Sequence, residues 1–151
     1  MLFTSNLASV TAYTYDASTG QVGQGKQIVT GMSNTGTHPT RAIAVSKWSP
    51  DTILVARGSQ ANIDTTTTQQ SSGRSMIKAF SISKGLQTAF QYSTDGEVLA
   101  WGLRNVVGMT EDPAYGGFVR FYHLPPTPVF DAHQLTTFES GPSKTRWTTS
   151  A

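Results

Sequence analysis

The sequence predicts an all-β protein, and three observations support that class. Short runs of alternating apolar and polar residues recur along the chain, turn-forming residues separate them, and no segment keeps a 3.6-residue apolar period over three turns. Of the 151 residues 37% are hydrophobic and 13% are charged, and 14 are glycines. This composition suits strands and turns, and the missing helical period argues against a helical bundle.

Seven strands are predicted, each bounded by turn residues. The run SVTAYTYD alternates and ends at the turn DASTG, and RAIAVSKW alternates and stops at SPD. The run TILVARG is almost continuously apolar, which is typical of a buried central strand. We therefore predict that residues 41–58 form two antiparallel strands joined by the SPD turn. The seven predicted strands cover residues 9–16, 26–32, 41–48, 52–58, 75–82, 96–103 and 116–123.

The remaining segments divide the chain into a folded part and a tail. Residues 60–74, QANIDTTTTQQSSGR, form a long polar loop, which is either a solvated excursion or a functional loop. After Tyr122 the alternation stops and prolines cluster in HLPPTPVF. We predict one β domain over residues 1–122 and an irregular or disordered segment over residues 123–151.

Composition also limits the partners. The chain has no cysteine, which excludes disulfides and thiolate metal sites within it. Its net charge is +2 without a dense basic run, so we expect no nucleic-acid partner. No apolar run approaches the roughly 20 residues of a membrane span, and the N-terminus does not have the pattern of a signal peptide.

His38 is the first candidate for chemistry. It lies in NTGTHPTRAI, where Pro39 favours an extended backbone just before a predicted strand, with Arg41 close by. Imidazole is the usual general base near neutral pH. The residues alone also allow an ordinary surface histidine.

Arg104 and Asn105 form the second candidate site. They lie between glycines in WGLRNVVGM, directly after a predicted strand, and offer a planar cation and an amide to a flat polyacid. The alternative is a structural turn that joins two strands. A third stretch, RGSQANID, places Asn62 and Asp64 at a strand end, as a pocket rim or an Asx-type turn. We assign no role to His123 or His133.

These segments together resemble a known family. GMSNTGTHPTRAI, PDTILVARGSQANID, GRSMIKAF and GEVLAWGLRNVVGM are similar, in order and spacing, to the fungal pyranose dehydrogenases that use pyrroloquinoline quinone (PQQ). That family belongs with the sorbosone and soluble glucose dehydrogenases, and the resemblance covers about residues 3–120. It implies a six-bladed β-propeller of secreted proteins with the quinone in a central funnel. At four strands a blade, this chain holds about two blades.

The resemblance also implies roles for three residues. His38 matches the histidine that takes the sugar hydroxyl proton as hydride passes to the quinone. Arg104 matches the arginine that lies against the quinone and stabilises its reduced form. Asn105 matches an asparagine that hydrogen-bonds the cofactor. No residue of this chain is matched to a metal ligand.

Two departures from the family qualify these roles. An acidic residue orients the histidine in the glucose dehydrogenases, whereas that place here resembles Ser59, with Asp64 a few positions on. After residue 120 the chain runs into FYHLPPTPVF, where the family has a loop whose carbonyls hold calcium.

We therefore expect a fragment of a PQQ- and calcium-dependent sugar dehydrogenase that is inactive alone. The alternatives are a non-catalytic partial propeller that acts as a binding or interaction module, and a sugar-binding β protein with a structural histidine. Neither the sugar nor the oligomeric state follows from these residues.

Overall fold

Two four-stranded sheets form the body of the protein. The computed structural model describes residues 1–32 and 35–111, and beyond them the backbone of three strands, 119–123, 135–139 and 146–150. Its one α-helix within these residues is α1 (Ile82–Gln87). The strands are β1 (Leu2–Ser5), β2 (Val10–Asp16), β3 (Gln21–Thr30), β4 (Ile43–Val45), β5 (Thr52–Arg57), β6 (Met76–Ser81), β7 (Phe90–Gln91), β8 (Glu97–Trp101), β9 (Val106–Glu111), β10 (Val119–His123), β11 (Leu135–Glu139) and β12 (Arg146–Ser150).

The first sheet has the strand order β1-β2-β3-β7. Its first three strands are antiparallel, and the short strand β7 adds in parallel, with Val29 opposite Phe90. The β2–β3 turn is closed by Asp16, whose carboxylate accepts from the backbone N of Ser18 at 2.9 Å and from Oγ1 of Thr19 at 2.9 Å. The DASTG segment is thus the Asx-type turn that its sequence predicts.

The second sheet has the order β4-β5-β6-β8 and is antiparallel throughout. Ile43 lies opposite Val55, and the connection between β4 and β5 is closed by a hydrogen bond of 2.7 Å from Thr52 N to Ser49 O. The prediction of two antiparallel strands within residues 41–58 is confirmed. The all-β class is confirmed as well, with two four-stranded sheets where about two blades were expected.

The main core lies between the two sheets. Strand β5 contributes to it with Ile53 and Val55, while Leu54 and Ala56 point to the opposite face of the second sheet because side chains alternate along a strand. That opposite face is covered by a second cluster that includes Val106 of β9. The run TILVARG is therefore buried on both faces. The core residues between the sheets are Val10, Ala12, Ile28, Val29, Met32, Ile53, Val55, Met76, Phe80, Ile82 and Tyr92.

Helix α1 was not predicted from the sequence. It begins after Ser81, whose Oγ accepts from Lys84 N at 3.2 Å, and Asp51 accepts from Ser83 N at 2.8 Å. The helix packs on β3, where Gly85 comes so close to Ile28 that an added Cβ would lie 3.0 Å from the Ile28 Cβ. With six residues it is too short for its period to be recognised.

The irregular or disordered segment expected over residues 123–151 stays a prediction, and of that segment the structure describes the backbone of two strands. Strands β11 and β12 lie within residues 123–151 and pair with each other, Leu135 opposite Ser150. The rest of that segment, including His133, lies outside the described residues, and the domain boundary at residue 122 stays a prediction. Within the described part of the chain, no helix is long and apolar enough to cross a membrane.

Candidate functional site

Three loops meet at one edge of the second sheet. Strands β4 and β6 begin at this edge and strands β5 and β8 end at it, because neighbouring strands of the sheet run in opposite directions. The loop before β4 carries His38, the loop after β5 carries Ser59, and the loop between β8 and β9 carries Arg104 and Asn105. Strand polarity therefore brings together side chains that are far apart in sequence.

Ser59 lies at the centre of this edge and is 6% exposed. Its backbone N donates to Arg104 O at 2.8 Å, which joins the loop after β5 to the loop after β8. Its hydroxyl lies 2.8 Å from Ala61 O and 3.3 Å from Arg104 O. The approach is close because Gly58 precedes it, and an added Cβ there would lie 2.6 Å from Arg104 O.

His38 is held at both its ring and its backbone. Nδ1 lies 3.0 Å from Ser59 Oγ and 3.1 Å from Ser59 O. Its carbonyl accepts from Nη1 of Arg41 at 2.9 Å, and Nε of the same arginine donates to Leu7 O at 3.2 Å. Arg41 is buried, so the histidine loop is fastened to the connection between β1 and β2 of the first sheet.

Arg104 and Asn105 are each tied to a neighbouring loop. Nη2 of Arg104 donates to Oδ1 of Asn62, and Oδ1 of Asn105 accepts from Oγ1 of Thr40. His38 and Arg104 thus lie in loops at the same edge of the second sheet. Thr40 was not identified from the sequence, because the only signal for it was its position between His38 and the next strand.

The loop after β5 is locked by Asp64. Its carboxylate accepts from Gln60 N at 2.8 Å and from Oγ1 of Thr66 at 2.6 Å, and it forms an ion pair with Arg74 at 3.2 Å. Burial acts to raise the pKa of Asp64, but hydrogen bonds from Thr66 and Gln60 and the charge of Arg74 outweigh it and lower the pKa. Asp64 therefore acts as an Asx-type cap for its loop, and the contacts to the His38 ring come from Ser59.

Buried positive charge lies directly behind this edge. Arg57 is 7% exposed and donates from Nη1 to Gly73 O at 3.0 Å. Its pKa is lowered first by burial and then by the charges of Arg41 and Arg74. Two buried guanidinium groups, those of Arg41 and Arg57, thus make the edge favourable for an anionic ligand.

The described residues do not suggest a metal centre made of side chains. Among them, no three His, Cys, Asp or Glu residues are grouped as a metal ion would require. The calcium ligands that the resemblance implies are backbone carbonyls, which are not among these side-chain groups.

Sequence comparison identifies relatives for most of the chain. The family model described as TrAA12-like matches residues 1–121. A "Pyrroloquinoline quinone-dependent sugar dehydrogenase" of Hypocrea jecorina is 38% identical over 119 residues, which are 77% of this chain and 27% of that protein. A "Pyrroloquinoline quinone-dependent pyranose dehydrogenase" of Coprinopsis cinerea is 39% identical over 104 residues, covering 68% of this chain and 14% of that protein.

Solved structures match the same fold. The calcium structure of a Trichoderma reesei enzyme of carbohydrate-active enzyme family AA12 superposes with a TM-score of 0.72 at 36% identity, over 79% of this chain and 30% of that one. The holo form of the PQQ domain of a Coprinopsis cinerea pyranose dehydrogenase has a TM-score of 0.75 at 29% identity, over 97% of this chain and 33% of that one. The two sheets are therefore part of a β-propeller, and the chain spans about a third or less of these relatives.

Proposed function

Since this chain belongs to the TrAA12-like family, we propose that it supplies part of the active site of a PQQ-dependent sugar dehydrogenase. The observation that carries the proposal is that Ser59 contacts both the His38 ring and the backbone carbonyl of Arg104. Oxidation of an alcohol needs a base at the hydroxyl proton and a cation where negative charge develops. This edge of the sheet offers both groups within one set of hydrogen-bonded loops.

In this proposal His38 is the general base. One ring nitrogen is engaged by Ser59, and the other accepts the hydroxyl proton of the sugar. The half-buried position holds the ring in place, and the hydrogen bond from Arg41 to the His38 carbonyl limits movement of the loop. A fixed ring raises the fraction of encounters in which base and hydroxyl are aligned.

The residues around Arg104 fit an anionic, planar cofactor. When bound, PQQ accepts the hydride from the sugar carbon. Arg104 contributes a partly exposed guanidinium and Asn105 an amide, and both suit carboxylate and carbonyl oxygens. Gly102 has a φ of +89° with nothing within 4 Å of an added Cβ, so the backbone beside Arg104 is open to a flat ligand.

Calcium and localisation belong to the same proposal. The prediction that this chain lacks the calcium-binding loop concerns residues after 111, most of which lie outside the described part, and it stays a prediction. We also propose that the protein acts outside the cell on a pyranose, as the resemblance implies. Recovery of the native protein from the culture medium rather than from washed cells is the expected result.

A titration of PQQ with the purified chain tests cofactor binding. We expect the quinone absorbance to shift with the wild-type chain, with and without calcium, and the shift to be lost in Arg104→Gln. The matched control is Lys26→Gln, which removes one charge from an exposed position on β3 and should bind as the wild type does. Equal binding by Arg104→Gln and wild type would refute the role of Arg104.

Turnover and sugar binding separate the alternatives. We expect no dye reduction by this chain alone with PQQ, calcium and a pyranose, and turnover that disappears in His38→Ala would contradict that expectation. Calorimetric binding of a sugar without any cofactor would instead favour a sugar-binding β protein. A chain that binds neither quinone nor sugar would favour a non-catalytic partial propeller.

A further inference from the structure

We propose that Ser59 is the positioning residue of His38 and holds its ring in the tautomer with the proton on Nδ1. The unprotonated Nε2 is then the atom that accepts a proton. The importance of this for catalysis rests on the function proposed above, but the tautomer itself is a property of the chain and is measured separately.

The Ser59 carbonyl is the first of two acceptors that favour a proton on Nδ1. It lies 3.1 Å from Nδ1 of His38, and a carbonyl oxygen accepts hydrogen bonds and cannot donate them. An unprotonated Nδ1 would place two lone pairs against each other at this distance. The protonated nitrogen instead forms a hydrogen bond of ordinary length, so the carbonyl favours the Nδ1–H form.

The Ser59 hydroxyl favours the same tautomer. It has one proton, and the carbonyls of Ala61, at 2.8 Å, and Arg104, at 3.3 Å, are both placed to accept it. Its lone pairs are then left for the His38 ring, whose Nδ1 lies 3.0 Å away. Carbonyl and hydroxyl together present two acceptors to a single N–H.

Ser59 is itself held firmly enough to act in this way. It is buried, and its backbone N donates to Arg104 O at 2.8 Å. The following residue, Gln60, is fastened to Asp64 at 2.8 Å. The base and the cation of the proposed site are therefore set by one residue, and a shift of Ser59 would move both.

Ser59 is a neutral partner of the His38 ring, whereas the glucose dehydrogenases of the resemblance have an acidic one. A carboxylate would orient the ring and also stabilise the imidazolium by its charge. Ser59 orients the ring through hydrogen bonds and adds no charge. The nearest acid of the loop, Asp64, is already committed to Arg74 and to its own loop.

Nitrogen NMR of the histidine rings tests the proposal. In the chain labelled with ¹⁵N-histidine, at a pH where the ring is neutral, His38 should show a protonated Nδ1 and an unprotonated Nε2. The signals are assigned by their loss in His38→Gln. In Ser59→Ala we expect the tautomer ratio to shift at least about fivefold toward Nε2–H, as the loss of one hydrogen bond would give.

Two further variants make the result specific. Ser59→Thr keeps a hydroxyl and should restore the wild-type ratio. Ser71→Ala, an exposed serine in the same long loop, should leave it unchanged.

A wild-type ring protonated on Nε2 would overturn the proposal, and a Ser59→Ala chain with the wild-type ratio would refute the part assigned to the hydroxyl. If Ser59→Ala does not fold, the wild-type spectrum and Ser59→Thr still decide. A confirmed tautomer together with an unperturbed quinone spectrum would leave the positioning role standing and remove the cofactor proposal.

Discussion

Tyr92 provides the sharpest test of the packing between the two sheets. Its side chain is fully buried, and its hydroxyl lies 2.9 Å from Met76 O and 3.3 Å from Val55 O, both in the central strands of the second sheet. The substitution Tyr92→Phe keeps the ring and removes only the hydroxyl. It therefore isolates the hydrogen bond from the apolar packing.

The expected cost of Tyr92→Phe depends on pH. Near neutrality the variant removes the hydroxyl proton that Met76 O and Val55 O are placed to accept, which should lower the free energy of unfolding by about 1–2 kcal/mol. Burial raises the pKa of the Tyr92 hydroxyl far above its ordinary value of 10.0, although Arg57 and Arg41 act against this. In the unfolded chain the hydroxyl has its ordinary pKa and ionises first.

That order of ionisation determines whether the stability rises or falls with pH. The unfolded state loses the Tyr92 proton above pH 10 while the folded state keeps it, so the stability due to this group falls as pH rises. By pH 11 the wild type should lose about 1.4 kcal/mol through Tyr92, and the phenylalanine variant loses nothing through that position. The two proteins should then have nearly equal stability at pH 11.

Urea unfolding at pH 7 and pH 11, followed by tryptophan fluorescence, measures both values. Other titrating groups are common to the two proteins and cancel in the difference. The control is Tyr15→Phe, at a side chain that is 46% exposed, which should change stability little at either pH. A difference between wild type and Tyr92→Phe that is the same at both pH values would refute the buried, hydrogen-bonded placement of Tyr92.

Three further predictions concern loops and glycines. Asp64→Asn should increase amide hydrogen exchange across residues 60–74 at neutral pH. The pKa of Asp64 is lowered from 3.8, so the wild-type loop should keep its protection down to that pH and lose it as the pH falls further, through the lowered pKa. Gly96→Ala places a Cβ 2.5 Å from the Phe80 ring at a φ of +81° and should lower the free energy of unfolding, measured by thermal unfolding, by at least about 2 kcal/mol. Gly102→Ala has a positive φ but open space around the new Cβ, so it should lower the free energy of unfolding by about 1 kcal/mol. Gly58→Ala should shift the His38 tautomer, because the new methyl would lie 2.6 Å from a carbonyl of the β8–β9 loop.

Alternation identified the strands that form the sheets. Strand β2 lies within the predicted run 9–16, and β5 lies within 52–58 with both faces buried as its apolar composition indicates. Alternation is a local property of the sequence, so it indicates a strand without knowledge of the strand's partners. The predicted strand 41–48 is shorter in the structure, where only Ile43–Val45 pairs, because the residues before it are held in the site loop by Arg41.

Two of the elements that the sequence did not indicate are strands β7 and β9. Strand β7 has two residues, too few for a period to be read, and pairs beside the end of β3, about sixty positions earlier. Strand β9 begins at Val106, immediately after the Arg-Asn pair, and pairs with β10. Its residues VVGMTE do not alternate between apolar and polar, and the sequence indicates only a candidate ligand-binding turn there.

For the site, residue chemistry identified the groups but not their connections. The sequence offers His38 as a candidate base and Arg104 as a candidate cation, and both lie in loops at one edge of the second sheet. Their connection through Ser59 depends on three loops brought together by strand polarity. The spacing of residues in the sequence does not predict that Ser59 Oγ lies 3.0 Å from Nδ1 of His38, which is 21 positions away. The sequence therefore leaves both Ser59 and Asp64 open as the partner of the His38 ring, and in the structure the contacts to that ring come from Ser59.

The same arrangement explains why a long polar loop is tolerated beside the site. Residues 60–74 would lose conformational entropy on ordering, and a loop without anchors would leave Ser59 mobile. Asp64 fastens the beginning of the loop to Arg74 at its end through an ion pair, in which Oδ2 of Asp64 lies 3.2 Å from Nη1 of Arg74. The loop tip can then vary while Ser59 stays fixed against the His38 ring, which separates the part that positions the base from the part exposed to solvent.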